Sequence, residues 1–338
     1  MKFCIVGAGA IGGFVGAKLA SAGEDVTFIA RWKNLDAIRS HGMVLKMNDG
    51  TVLEARNVKA TDSVAAVGHV DCVILALKAN QVEAVVHQLG PLFGPKTTVI
   101  TMQNGIPFWY FHGHGGELAG RAVESVDPGG AVLKAIARER IIGCVVYPAT
   151  ELTSPGTVVV IEGDRFPLGE LDGSKSERVQ KISEAFVRGG LKSPILENIR
   201  SEIWLKLWGN LSFNPVSALT HATLSDICQN PNGRELVASM MREAQAVAEK
   251  LGITFRVTLD KRIEGAEKVG KHKTSMLQDV EAGRALEVDA LVGSVCELGR
   301  LTGIPTPTIS AVYNATKLLD KTMATEMIAV RGIQMPSS

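Results

Sequence analysis

Apolar positions along this chain follow two rhythms. Before Asn198 they gather in short runs broken by Gly, Pro and an Asn-Asp-Gly turn, whereas after it they recur at helical spacing in long amphipathic segments. Lys2–Val6 is a short β-prone run. Gly7-Ala8-Gly9-Ala10-Ile11-Gly12 follows, then a small-residue stretch that predicts a helix to Ala22, closed by Gly23, and a second strand over Asp25–Ala30. A hairpin is expected around Asn48-Asp49-Gly50. Val70–Leu77 and Thr97–Met102 read as two buried parallel strands, with a helix from about Gln81 to Leu89 between them. Short strands recur from Ile141 to Gly169, followed by a helix near Ser174–Arg188 and a last strand at Pro194–Leu196.

The order strand, glycine turn, helix, strand predicts the opening of a doubly wound sheet. The expected fold is therefore α/β: an N-terminal Rossmann-like doubly wound sheet domain over residues 1–197, followed by an all-α C-terminal domain over residues 198–338. Gly7, Gly9 and Gly12 fit G-x-G-x-x-G in the required context. The first permits a tight turn, the second lets the backbone approach a pyrophosphate, and the third allows close packing of helix on strand. The phosphates would then lie on the helix N-terminus, over Gly7, Ala8, Gly9, Ala10, Ile11 and Gly12. The competing reading is that these glycines serve helix packing alone.

The end of the second strand discriminates between dinucleotides, because NAD proteins usually carry an acid there for the ribose 2′-hydroxyl. Here the strand ends Phe28-Ile29-Ala30-Arg31, followed by Trp32 and Lys33. A cation suits a 2′-phosphate, so NADP(H) is the expected cofactor, against the alternative that Arg31 is an ordinary surface charge. Lys78 and Asn104 both follow strands at their C-terminal ends, the edge where ligands bind in open α/β sheets.

In the second half, Ile203–Phe213 is apolar almost all round, yet Lys206, Asn210 and Asn214 recur every four residues and form one polar stripe. Such groups are costly against a packed interior unless something polar meets them. A substrate site satisfies that requirement, and so does a snorkelling lysine or a hydrogen-bond network at a dimer interface. Ser275-Met276-Leu277-Gln278 has the form of a capping box, and a helix N-terminus with a serine hydroxyl suits a carboxylate. Glu287 opens a further helix, where a first-turn acid ordinarily complements the dipole.

Composition narrows the partners. Lys plus Arg number 36 against 35 Asp plus Glu, a net charge of +1, which argues against a grip on nucleic acid or anionic lipid. No apolar run long enough for a membrane span occurs, and the uncharged stretch from Phe3 to Ala17, superficially like an export signal, is better explained by its glycine spacing. Five scattered cysteines (Cys4, Cys72, Cys144, Cys228, Cys296) read as reduced core residues of a cytoplasmic protein.

Taken together, these residues resemble the ketopantoate reductase family (2-dehydropantoate 2-reductase) over nearly the whole chain. The matching pieces are Gly7-Ala8-Gly9-Ala10-Ile11-Gly12, Arg31, Leu77-Lys78-Ala79-Asn80-Gln81, Gln103-Asn104-Gly105, Lys206-x3-Asn210-x3-Asn214-Pro215, Ser275-Met276-Leu277-Gln278-Asp279 and Glu287-Val288-Asp289. The resemblance implies NADPH-dependent reduction of 2-dehydropantoate to (R)-pantoate, towards pantothenate and coenzyme A. By the same resemblance Lys206 is the general acid and Glu287 its partner on the substrate hydroxyl side. Asn210 and Asn214 are substrate-binding amides, Ser275 meets the substrate carboxylate, Asn104 lies near the nicotinamide, and Arg31 with Lys78 recognises the 2′-phosphate end. The chemistry is coherent: an ammonium beside a carbonyl oxygen that gains charge on hydride addition both stabilises it and supplies a proton. A lysine near its reference pKa of ~10.4 is almost fully protonated at neutral pH. Desolvation between Trp204 and Trp208 would lower it and Glu287 would oppose the fall.

Two departures stand out. Ile106–Gly116 is an aromatic and glycine-rich insertion, expected as a flexible loop that walls the site, and its His112 and His114 lack the partners of a metal centre. No binding role is carried onto Asn230 or Asn232. The insertion motivates a second reading, a reductase of another branched or aromatic 2-oxo acid of the D-2-hydroxyacid dehydrogenase type. A third is a non-catalytic NADP(H)-binding sensor, against which the intact polar set argues. The amphipathic helices after Asn198 offer a surface for a homodimer.

Overall fold

Residues 1–332 are described by a computed structural model. In chain order, the first part carries β1 (Lys2–Val6), α1 (Ala10–Ser21), β2 (Asp25–Ile29), α2 (Trp32–His41), β3 (Met43–Lys46), β4 (Val52–Ala55), β5 (Val58–Thr61), β6 (Val70–Leu75) and α3 (Ala79–Val86). It continues with β7 (Phe93–Thr101), α4 (Ala131–Ala135), β8 (Ile141–Cys144), β9 (Ala149–Ser154), β10 (Thr157–Glu162), β11 (Leu168–Glu170) and α5 (Glu177–Arg188).

Strand β1 is apolar at every position after Lys2, and a run without alternation needs cover on both faces. It lies inside a seven-stranded sheet of order β11-β8-β7-β6-β1-β2-β5, parallel throughout except for the antiparallel β8–β11 pair. The chain steps outward from β1 to β2 and β5, then returns to the other flank at β6. The switch of direction between β1 and β6 opens a crevice at their carboxyl ends.

The small residues of α1 have a packing reason. The helix lies against β1 and β2 on one side and against a second, four-stranded sheet, β4-β3-β10-β9, on the other. A Cβ at Gly13 would meet Val158 Cγ2 at 2.9 Å and Met43 Sδ at 3.0 Å, and one at Gly16 would overlap the Phe28 ring. The expected hairpin around Asn48-Asp49-Gly50 is the antiparallel β3–β4 pair of this second sheet. Strand β3 also pairs in parallel with β10, joining Val44 to Thr157.

Two expectations need correction. Pro194–Leu196 is no strand: only isolated bridges, Arg165 to Lys192 and Leu168 to Ile195, form there, because Pro194 lacks a ladder donor. Nor is Ile106–Gly116 a flexible loop. Ile106, Phe108, Trp109, Tyr110 and Phe111 are buried in a series of tight turns, and Trp109 Nε1 donates to Thr101 Oγ1 at 2.8 Å. Its aromatic residues are core, and only the glycine-rich end is exposed.

The second unit comprises α6 (Ile199–Thr220), α7 (Leu224–Gln229), α8 (Pro231–Lys250), α9 (Leu259–Lys268), α10 (Ser275–Glu281), a π-helical turn over Asp289–Gly293, α11 (Ser294–Thr302) and α12 (Pro307–Glu326). The two compact units are Met1–Ala122 with Asp127–Ile199, and Val123–Val126 with the chain from Arg200 onward. In the second, Trp208 on α6 donates to the Met241 carbonyl on α8 at 2.7 Å, and the Glu243 carboxylate of α8 caps α12 by accepting from Thr308 N and Ile309 N, each at 2.9 Å. Asn230 caps α8, accepting from Gly233 N at 3.0 Å.

Val123–Val126 belongs to the helical unit through Glu297 of α11. That carboxylate, 7% exposed, accepts from Glu124 N at 2.9 Å and from Ser125 N and Ser125 Oγ at 2.7 Å each. Glu297→Ala removes a buried charged acceptor from two backbone donors and a hydroxyl, and should lower stability by about 2–4 kcal/mol. A shift of the urea midpoint at constant slope measures it; an unmoved midpoint would show that the segment is held by other means.

None of the five cysteines is in a disulfide, and all are buried. Burial pushes the Cys4 thiol up to about 12 and raises Cys72, Cys228 and Cys296 as well, which leaves these four without thiolate character for nucleophilic or redox chemistry. Among the described residues, no helix is long and apolar enough to cross a membrane.

Candidate active site

The cradle in the first unit is built by strand ends. Gly7 follows β1 with a φ of 104°, in the region that favours glycine, and its N–H donates to the Ile29 carbonyl at 3.2 Å. Gly9 caps α1 with ordinary backbone angles, and a Cβ built there meets nothing within 4 Å. A Cβ at Gly12 would overlap the Gly7 carbonyl oxygen and meet Ala76 Cβ at 3.0 Å. The three glycines therefore do different work: Gly7 turns the chain, Gly12 lets α1 press on the turn, and Gly9 leaves open space above the helix N-terminus. That space is what a pyrophosphate needs, so the residues present fit a dinucleotide.

Arg31, exposed, ends the segment after β2 at the N-cap position of α2, where its side chain makes no capping hydrogen bond. Lys78, half-buried, follows β6 and caps α3, with its N–H donating to Gln81 Oε1 at 3.2 Å. Asn104 follows β7 in a turn held by Gln103, whose Nε2 donates to the carbonyls of Leu75 at 2.7 Å and Leu77 at 3.1 Å. The structure thus brings the glycine turn, Arg31, Lys78 and Asn104 to the carboxyl ends of four strands of one sheet, β1, β2, β6 and β7. A tie that sequence reading missed is Asn34. Its Nδ2 donates to the Ala8 carbonyl at 2.6 Å while its Oδ1 accepts from Gly156 N at 2.7 Å, clamping α2 to the glycine turn. The second partner lies 122 residues away, beyond any local signal.

The polar stripe lies on α6 in the second unit. Trp204, Leu207, Trp208, Leu211 and Phe213 are buried around it, Lys206 and Asn210 are half-buried, and Asn214 is buried. Pro215 continues the helix but has no N–H for the carbonyl of Leu211, one turn back. The stripe also extends one turn further back than expected. Glu202 is 2% exposed and paired with Arg256 at 3.0 Å. The same four-residue spacing, read one step towards the N-terminus, would have found it.

Ser275 does not cap its helix. Thr274 does, with its hydroxyl accepting from Leu277 N at 3.2 Å, because the chain is extended at Thr274 and already helical at Ser275. The Ser275 hydroxyl is released from capping duty, and Asn214 Nδ2 reaches it at 3.5 Å. Glu287 stands just outside its helix rather than in the first turn, and its carbonyl accepts from Leu291 N at 3.1 Å. The next turn is π-helical, and Asp289 at its start accepts from Tyr313 Oη at 2.7 Å and Lys317 Nζ at 2.9 Å. Burial, with the Asp289 hydrogen bond, pushes the Tyr313 hydroxyl well up, so it stays a donor. Among the described residues, no three His, Cys, Asp or Glu side chains gather as metal ligands.

Comparison with known proteins matches two successive stretches of the chain to one family. The profile described as "Ketopantoate reductase PanE/ApbA" matches residues 3–173, and the one described as "Ketopantoate reductase PanE/ApbA C terminal" matches residues 198–320. A 2-dehydropantoate 2-reductase of Mesorhizobium japonicum is 52% identical over 94% of this chain and 98% of its own length. A crystal structure from Ralstonia solanacearum MolK2, assigned to the ketopantoate reductases, superposes with a TM-score of 0.90 at 40% identity, covering 95% of this chain and 98% of the other. D-mandelate dehydrogenase with NADH and anilino(oxo)acetate shares the fold, with a TM-score of 0.81 at 23% identity over 96% of this chain and 100% of its own.

Proposed function

The chain belongs to the ketopantoate reductase family, and on that premise we propose that this oxidoreductase reduces 2-dehydropantoate to (R)-pantoate with NADPH, a step towards pantothenate and coenzyme A. The observation that carries the reading is the stripe of Lys206, Asn210 and Asn214 on an otherwise apolar helix, with Ser275 against Asn214. Five cysteines outside any disulfide fit the reducing cytoplasm.

When bound, NADPH supplies a hydride to the carbonyl carbon of the 2-oxo acid. The glycine turn receives the pyrophosphate on the α1 N-terminus, Arg31 and Lys78 hold the 2′-phosphate end, and Asn104 orients the nicotinamide side. Lys206 hydrogen-bonds the carbonyl oxygen as charge grows on it and gives it the proton that completes the alcohol. Glu287 accepts from the substrate hydroxyl. Asn210 and Asn214 bind the remaining polar groups, and the Ser275 hydroxyl donates to the carboxylate.

The test is the loss of NADPH absorbance with 2-dehydropantoate, beside NADH, 2-oxoisovalerate and phenylglyoxylate. Preference for NADPH and 2-dehydropantoate is the expected result. Faster turnover of either other acid would move the substrate, and binding of NADPH without any turnover would favour a sensor. Arg31→Asp should lower kcat/KM for NADPH by about 10- to 100-fold and raise the relative use of NADH, the scale of a charge-assisted contact replaced by repulsion. An unchanged cofactor preference would remove Arg31 from this role.

A further inference from the structure

Trp32 occupies a position its chemistry does not suit. It follows Arg31 at the end of β2, where the chain turns into α2, with a φ of 51°. A bulky side chain in the left-handed region is an outlier, and such strain persists where surrounding structure enforces it, characteristically at ligand sites. The indole is also 82% exposed and has no aromatic or cation stacked on it among the described residues. A ring that large on the surface contributes nothing to the core. Its backbone is nonetheless held in place, since Asn34, two residues on, is hydrogen-bonded both to the glycine turn at Ala8 and to Gly156. An exposed aromatic ring thus follows an exposed Arg31, on a backbone turn tied to the glycine loop, at a strand end where doubly wound sheets receive the adenosine half of a dinucleotide.

We propose that the Trp32 indole is the platform on which the adenine ring of the cofactor stacks, while Arg31 takes the adjoining 2′-phosphate. The inference rests on the dinucleotide reading of the first unit. Stacking on an aromatic face needs no hydrogen-bond readout, and Arg31 then supplies the discrimination between phosphate and hydroxyl.

The other three tryptophans, Trp109, Trp204 and Trp208, are fully buried, so acrylamide-accessible emission of the full chain reports Trp32. Addition of 2′,5′-ADP should shield that emission. Trp32→Gly, which suits the backbone angle, should keep or raise Tm yet weaken binding of 2′,5′-ADP and NADPH by about 10-fold, with Trp32→Phe between it and the unaltered protein. If Trp32→Gly binds both as tightly as the unaltered protein, stacking is overturned and the dinucleotide reading stands. If the unaltered protein binds neither, both fall.

Discussion

Lys206→Ala should lower kcat by about 10²–10⁴-fold and leave NADPH affinity nearly unchanged, the scale of losing a general acid. The split follows from where the groups lie. Every residue assigned to the dinucleotide belongs to the first unit, whereas Lys206 is on α6 of the second. In the proposed mechanism its ammonium is the donor for the oxygen that becomes an alcohol, so its loss should be felt as charge develops rather than when the cofactor binds. Lys206→Arg separates the two parts of the role. It keeps a positive charge, but a guanidinium does not release a proton near neutrality, so kcat should remain far below that of the unaltered enzyme. Single-turnover measurement of NADPH oxidation, with cofactor binding followed separately, checks both. An undiminished kcat in the alanine variant would refute the assignment.

The second large effect is expected at the glycine turn, where two neighbouring substitutions should fail for different reasons. Gly12→Ala drives a methyl into the Gly7 carbonyl oxygen, with Ile5 Cγ2 at 3.1 Å and Ala76 Cβ at 3.0 Å closing the sides. Backbone and strand residues have little room to retreat, so a loss of about 2–4 kcal/mol of stability is expected together with a loss of cofactor binding. Gly9→Ala places its methyl in open space. Its Tm should stay close to that of the unaltered protein while NADPH affinity falls by about 10-fold or more, because the methyl stands where the proposed reading brings the pyrophosphate. Paired thermal melts and cofactor titrations read the contrast. Equal Tm values for both variants would mean that Gly12 is not the contact between helix and turn; unimpaired binding by Gly9→Ala would move the phosphates elsewhere.

Features carried by short-range pattern were legible in the sequence. The glycine turn, the strand-end positions of Arg31, Lys78 and Asn104, and the four-residue period of Lys206, Asn210 and Asn214 are all local, and each element forms where its spacing predicts. The parts that escaped depend on distant partners. Aromatic residues 108–111 follow a strand end and read as loop, and only the folded chain brings enough apolar surface around them to bury the rings. The second sheet joins Val44 to Thr157, a pairing with no local signature. Ser275 lost its capping role to Thr274 by one residue, a shift within the ordinary uncertainty of helix ends, yet the one that lets its hydroxyl meet Asn214.

The attachment of Val123–Val126 to the helical unit has a bearing on inheritance. The chain passes from one unit to the other after Ala122, after Val126 and after Ile199. Neither unit corresponds to one uninterrupted stretch of coding sequence. A crossover at Ile199 would carry the helices away without Val123–Val126, whose Glu124 and Ser125 are held by Glu297, so recombination at that seam yields a helical half with its buried Glu297 carboxylate left without those donors. Exchange of helical halves between relatives therefore demands two coordinated splices, and diversification of this scaffold is expected to proceed by point substitution along α6 rather than by shuffling of its halves.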